Sequence, residues 1–208
     1  IQTIWLRDIV GFCKGTTLFK PIFKPKYYWG TYDAADQINQ NLKIIHSLLN
    51  FDMEILPLKW DGGNLITNGE IGFITERILR YNAKDYNEAQ IREMIKTKLD
   101  FEPVFVPIYA KDEFGHIDGC LNFISKDKLL IGDYESKEVG PEKDYLKCLR
   151  EIIEKYNITV IPMKELPYRS KHEGKYIPIG NYVNLLKLDE FILLPVFDIP
   201  DLDKKNIE

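Results

Sequence analysis

Hydrophobic positions along the 208 residues fall into short alternating runs separated by longer runs of helical period, and this order recurs. Residues 55–60 are a short apolar stretch, and residues 64–79 alternate around Asn68-Gly69, a dipeptide that favours a tight hairpin because both residues accept positive φ. Asn87 then offers an N-cap, and Ile91, Met94, Ile95 and Leu99 share one face of a helix predicted over residues 88–99. Residues 102–109 return as an apolar strand. The predicted unit is strand, strand, helix, strand.

The same order reads at three further places. Residues 116–123 and 128–131 flank the polar turn Ser125-Lys126-Asp127, Tyr145, Leu146, Leu149, Ile152 and Ile153 are helix-spaced within 141–156, and residues 158–163 close the unit. Nearer the N-terminus, residues 5–13 and 16–23 flank Lys14-Gly15. Asp33 or Asp36 opens a helix through Ile38, Leu42, Ile45, Leu48 and Leu49, and residues 53–58 return. A fourth copy runs through 182–188, a turn at Asp189-Glu190 and 191–197, and starts a helix at Asp201. The units fall near 1–58, 59–110, 115–163 and 181–208, the last incomplete. A period of roughly 45–65 residues predicts α/β supersecondary units stacked or set in a ring, within one domain, rather than a doubly wound sheet.

Composition narrows the partners. With 28 basic against 32 acidic residues and a net charge of −4, the chain lacks the basic excess of a protein that binds nucleic acid by neutralising phosphates. No apolar run approaches the roughly 18–20 residues that cross a bilayer, so no membrane partner is expected. GxGxxG and GxxxxGK[ST] are absent, which leaves a nucleotide-binding reading without support. Cys13, Cys120 and Cys148 form an odd set without CxxC spacing and read as free thiols of a reducing, cytoplasmic compartment.

The unusual polar residues lie at matching places, where the first strand of each predicted hairpin starts. They are Arg7-Asp8, Asp61-Gly62-Gly63-Asn64, His116-Ile117-Asp118 and Asn181-Tyr182-Val183-Asn184. Singly, Asp-Gly-Gly-Asn reads as a turn, His-x-Asp as surface decoration, Arg7-Asp8 as a structural ion pair and Asn184 as a backbone cap. Charges inside otherwise apolar strands are costly unless paired, and four clusters at equivalent positions together predict a shared polar pocket. In a strand His116 and Asp118 point to the same side. Asp8 and Asp118 facing each other would suit a planar cation such as a guanidinium, with Asp61 as a third carboxylate. No metal is expected, because His46 lies on an apolar helical face and His172 in a loop, away from His116.

At these residues the chain resembles the guanidine-modifying pentein superfamily, in the branch of agmatine deiminase and the bacterial peptidyl-arginine deiminases. The matching segments are Trp5-Leu6-Arg7-Asp8, Asp61-Gly62-Gly63-Asn64 with Thr75-Glu76, Gly115-His116-Ile117-Asp118 with Phe123, and Tyr182-Val183-Asn184 with Pro195-Val196-Phe197. The resemblance implies a five-bladed α/β propeller of ββαβ units, here an incomplete ring, and a hydrolase of linear amidines that needs no cofactor. Asp8 and Asp118 would grip the guanidinium, His116 would be the general acid/base, Asp61 and Asn184 (or Asn181) would line and orient, and Trp5 would wall the pocket. A cysteine thiolate would attack the guanidinium carbon and expel ammonia, and water would hydrolyse the resulting thiouronium intermediate to a ureido product and free the thiol.

The chain departs from the family at the nucleophile. The family's cysteine belongs to the last blade, beyond the helix that begins near Asp201, and none of Cys13, Cys120 and Cys148 occupies that place. The expectations are therefore a longer natural enzyme that supplies the cysteine, or a catalytically silent pentein that keeps a binding pocket. Residues 9–37 contain four lysines but no arginine to hold a peptide carboxylate, which favours a small guanidino substrate such as agmatine, in putrescine and polyamine synthesis, over peptidyl arginine. Homo-oligomerisation is compatible with either.

Overall fold

The computed structural model describes residues 6–24, 32–48, 52–109, 112, 114–134, 140–166, 171–172, 175–176 and 179–208. Its contacts define two compact units, residues 1–65 with 69–116 and residues 66–68 with 117–208.

In the first unit a short helix, α1 (Leu6–Val10), precedes β1 (Phe12–Lys14), which pairs antiparallel with β2 (Thr17–Ile22). Helix α2 (Tyr32–Leu48) leads to β3 (Asp52–Lys59), parallel to β2. A 3-10 turn at Gly62–Asn64 opens onto β4 (Leu65–Thr67), followed by β5 (Ile71–Thr75), α3 (Arg77–Asn82), α4 (Glu88–Leu99) and β6 (Glu102–Val106). In the second unit β7 (Leu121–Phe123) pairs antiparallel with β8 (Lys128–Tyr134), and α5 (Gly140–Ile153) leads to β9 (Thr159–Glu165), parallel to β8. Two short ribbons follow, β10 (Lys171–His172) with β11 (Lys175–Tyr176) and β12 (Leu186–Lys187) with β13 (Ile192–Leu193), and then α6 (Pro200–Ile207).

The three-stranded sheets have the orders β1-β2-β3, β4-β5-β6 and β7-β8-β9. The last pair in each is parallel, which a tight turn cannot join, so a helical segment intervenes each time. The fold is mixed α/β. No helix among the described residues is long and apolar enough to cross a membrane.

Local chemistry explains the best-formed helix. Asn87 accepts the N–H of Gln90 while the Gln90 side chain takes the N–H of Asn87, a reciprocal capping box. Asp100 ends α4 in the left-handed region, with φ 64, and its N–H returns to Lys96. Between the caps Ile91, Ile95 and Leu99 fall on one face and are buried with Leu56, Leu58, Trp60, Ile74 and Ile78. Each such side chain contributes about 1.5–3 kcal/mol on burial. Ala35, Ile38 and Leu42 of α2 do the same against Ile9 and Phe23. In the second unit Leu130 and Met163 pack with Tyr182, Val183 and Leu185.

Three asparagines tie helices to strands or, for Asn39, to the residue that follows one. Asn82 of α3 accepts the N–H of Lys59 and donates to its carbonyl, at 2.8 and 3.0 Å. Asn39 of α2 clasps both backbone groups of Phe23, and Asn206 of α6 those of Lys164 in β9. A primary amide presents one acceptor and two donors, so it satisfies a backbone N–H and C=O as a neighbouring strand would. Asp203 fixes the start of α6 similarly, accepting the Tyr182 hydroxyl at 2.6 Å and the N–H groups of Phe197 and Ile199.

Several expectations change. Residues 6–10 are helical rather than extended. The strand predicted over 116–123 is confined to Leu121–Phe123: the Ile117 carbonyl accepts the N–H of both Cys120 and Leu121, which curls residues 117–120 into a turn. No strand therefore sets His116 and Asp118 on one side of a sheet. The apolar residues at 182–185 are buried outside any strand, and the fourth hairpin shrinks to the two-residue strands β12 and β13. Trp5 lies outside the described residues.

Candidate functional site

Asp8, Asp61 and His116 come together in the first unit. Asp8 is carried on α1, which packs against the Gly62–Asn64 turn, and its Oδ1 accepts the N–H of Gly63 at 2.9 Å. Asp61 follows the end of β3, where Asn82 clasps Lys59 two residues earlier, and is 1% exposed. His116 arrives from the loop after β6. The imidazole lies between the carboxylates, with Nε2 3.4 Å from Asp61 Oδ2 and Nδ1 4.0 Å from Asp8 Oδ1. A ring so flanked makes charge-assisted contacts on both nitrogens once protonated.

The two glycines beside Asp61 make this approach possible. Neither has positive φ. A Cβ on Gly62 would stand 1.8 Å from the Arg7 carbonyl oxygen, and one on Gly63 would stand 2.4 Å from His116 Nδ1 and 2.8 Å from Asp8 Oδ1. The Asp-Gly-Gly pattern thus reflects close packing of α1 and His116 on the turn rather than the turn's own dihedral angles.

The backbone of His116 is held on both sides. The Asp112 carboxylate accepts the N–H of Phe114 at 2.9 Å and of His116 at 3.0 Å. Gly115 has φ 62, and the Arg77 guanidinium occupies the space its Cβ would need. The Gly115 carbonyl accepts the hydroxyl of Thr75 at 2.9 Å. Thr75, fully buried at the end of β5, also donates its N–H to Asn64 Oδ1, and its single hydroxyl proton is shared between that oxygen and the Gly115 carbonyl.

The other expected residues belong to the second unit. Asp118 is buried in the turn at 117–120, beside Gly119, whose carbonyl accepts Asn181 Nδ2 at 3.1 Å. Asn184 is exposed, and its backbone N–H donates to Asn181 Oδ1. Glu165, which nothing in the sequence marks as part of the core, is buried at the end of β9, where it accepts the N–H of Val183 at 2.9 Å. Burial pushes its carboxyl up to about 8, against the opposing pull of hydrogen bonds from Val183 and Tyr182. The only sequence signal for it would have been Gly132, which leaves room for that carboxyl on β8. Cys13 is exposed on β1, Cys148 is on α5 and Cys120 is in the Asp118 turn; all three are free thiols. Among the described residues no group of three or more His, Cys, Asp or Glu is disposed to hold a metal ion.

The whole of residues 1–208 matches the model of the Porphyromonas-type peptidyl-arginine deiminases. The chain belongs to that family. Solved structures with the same fold include a Porphyromonas gingivalis protein assigned as an arginine deiminase, at TM-score 0.79 and 19% identity over 98% of this chain and 64% of that one. The agmatine deiminase of C. jejuni aligns at TM-score 0.73 and 18% identity, over 98% and 63% of the two chains. That of Enterococcus faecalis aligns at 0.73 and 14%, over 98% and 66%. The chain therefore spans just under two thirds of the length of these structures. No curated protein matches it in sequence.

Proposed function

We propose that this protein is a guanidino-group hydrolase, a deiminase, acting on a small substrate of agmatine or arginine type. The observation that carries it is the half-buried imidazole of His116 set between Asp61 at 3.4 Å and Asp8 at 4.0 Å, in a chain of the deiminase family. Asp8 is one-sixth exposed, so its carboxylate can both hold the Gly63 turn and meet a ligand. A guanidinium would be fixed by Asp8 and, by resemblance, Asp118, which keeps it protonated and its carbon electrophilic. His116 would protonate the departing ammonia and then take a proton from the attacking water, with Asp61 orienting the ring. The nucleophilic thiolate is assigned to sequence outside these 208 residues. Under the same proposal the three sheets and the β12–β13 ribbon are blades of an α/β propeller, cytoplasmic and cofactor-free.

A small substrate is favoured over a peptide because residues 9–37 carry no arginine to bind a terminal carboxylate. A ureido product from agmatine would feed putrescine synthesis. The second reading, a silent guanidinium-binding module, is favoured by the placement of Cys13 on β1 and Cys148 on α5. The test is to incubate full-length protein with agmatine, free arginine and arginine peptides and measure ammonia and ureido product. Release with agmatine or arginine, abolished in His116→Ala, is expected. Binding without release from any substrate would replace the deiminase by the silent module, and neither binding nor release would remove both.

A further inference from the structure

We infer that Thr75 is a positioning residue for His116, its one hydroxyl proton shared between Asn64 Oδ1 and the Gly115 carbonyl so that the imidazole stays between Asp8 and Asp61. The inference deepens the deiminase proposal and rests on it for its catalytic part.

Four observations converge. Thr75 is fully buried at the end of β5, and Asn64 is 1% exposed in the turn that follows Asp61. Asn64 Oδ1 accepts both the N–H and the hydroxyl of Thr75, and the same hydroxyl lies 2.9 Å from the Gly115 carbonyl. Gly115 immediately precedes His116 and sits at φ 62, in the left-handed region that glycine enters without steric cost, so its own backbone does little to restrict the direction of His116. Asp112 fixes the N–H of His116 but leaves the carbonyl of Gly115 to Thr75.

The arrangement links the two ends of the cluster. Asn64 lies three residues from Asp61 and one from Gly63, whose N–H holds Asp8. Thr75 therefore joins the turn that positions both carboxylates to the residue that positions the imidazole. The threonine methyl could be supplied equally by valine, whereas the link needs the hydroxyl. A buried hydroxyl serving only stability would affect folding and leave the ring's surroundings unchanged once the protein is folded.

The test uses full-length protein carrying Thr75→Val or Thr75→Ser, with two readouts. The His116 imidazole is followed by NMR against pH, which needs no turnover and so separates this inference from the deiminase proposal. In Thr75→Val the titration midpoint should move from the wild-type value by about half a pH unit or more, and Thr75→Ser should restore it. Where turnover is measured, Thr75→Val should lower kcat about tenfold or more at nearly unchanged KM, with recovery in Thr75→Ser. A folded Thr75→Val protein with wild-type titration and kcat would overturn the inference. Should that variant not fold, the wild-type protein still decides. The Thr75 hydroxyl proton should exchange slowly enough to be observed and should show contacts to both Asn64 and Gly115; a rapidly exchanging proton would overturn the anchor.

Discussion

Glu165 offers the sharpest energetic test of the second unit. Its carboxyl is 3% exposed at the end of β9 and accepts the Val183 N–H at 2.9 Å, with Oε2 filling the space a Gly132 Cβ would take. Burial raises it from an ordinary glutamate value of 4.5 to about 8. Below pH 4.5 the group is protonated whether the chain is folded or not. Between 4.5 and 8 the unfolded chain releases a proton that the folded one retains, so the folded state binds more protons and stability falls as pH rises. From pH 4.5 to 7 this loss amounts to about 3 kcal/mol, at about 1.4 kcal/mol per pH unit.

Glu165→Gln keeps the acceptor for Val183 and removes the titration. The stability of the variant relative to the wild type should therefore grow by about 3 kcal/mol between pH 4.5 and pH 7, whatever the other carboxylates do, because they are common to both proteins. Urea denaturation at several pH values in this window measures the difference. Parallel stability profiles for the two proteins would refute the reasoning, since they would mean that the carboxyl ionises in the folded state at its ordinary value.

Two further outcomes follow from the packing. Gly63→Ala should leave the protein folded but reduce turnover about a hundredfold, because its Cβ would stand 2.4 Å from His116 Nδ1 and push the ring away from Asp8; thermal melting and ammonia release measure the two effects. Asn82→Ala should cost about 2 kcal/mol in urea denaturation by leaving the N–H and C=O of Lys59 without the amide that clasps them, and unchanged stability would dismiss the clamp.

Much of the fold was legible where the signal is local. Asn87 as N-cap and the face of Ile91, Ile95 and Leu99 follow from spacing alone, and α4 starts and stops where caps allow. The Asn68-Gly69 hairpin was legible for the same reason, with Gly69 at φ 89. What stayed hidden depends on partners far along the chain. Asn39, Asn82 and Asn206 bind backbone groups, which carry no residue identity, so nothing in the sequence marks what they clasp. Residues 6–10 alternate enough to resemble a strand, but Ile9 finds its burial in a helical turn against α2. Glu165 reads as a solvated loop residue because a charged type is rarely buried, and only its long-range contact with Val183 shows otherwise.

The sequence made legible that the Asp8, Asp61 and His116 clusters meet, and not which carboxylate flanks which nitrogen of the imidazole. His116, Asp8 and Asp61 were each singled out, yet alternation along a strand favoured Asp118 as the carboxylate beside His116. Once residues 117–120 curl, alternation no longer applies, and the groups that meet the imidazole are decided by which backbone can come near it. Gly62 and Gly63 answer that question. An Asp-Gly-Gly-Asn sequence usually signals positive φ, and a turn built for that purpose tolerates alanine at a glycine whose φ is negative. Here both glycines lack positive φ, and what forbids alanine is the Arg7 carbonyl in one case and the His116 and Asp8 side chains in the other. The two positions should consequently fail in different ways. At Gly62 the obstacle is backbone, which cannot swing aside, so Gly62→Ala should lower the melting temperature and the turnover together. At Gly63 the obstacles are side chains that can rotate away, so the fold should survive while the imidazole loses its place. A Gly63→Ala protein that keeps full turnover would mean that the proximity of His116 and Asp8 is not what the second glycine is for.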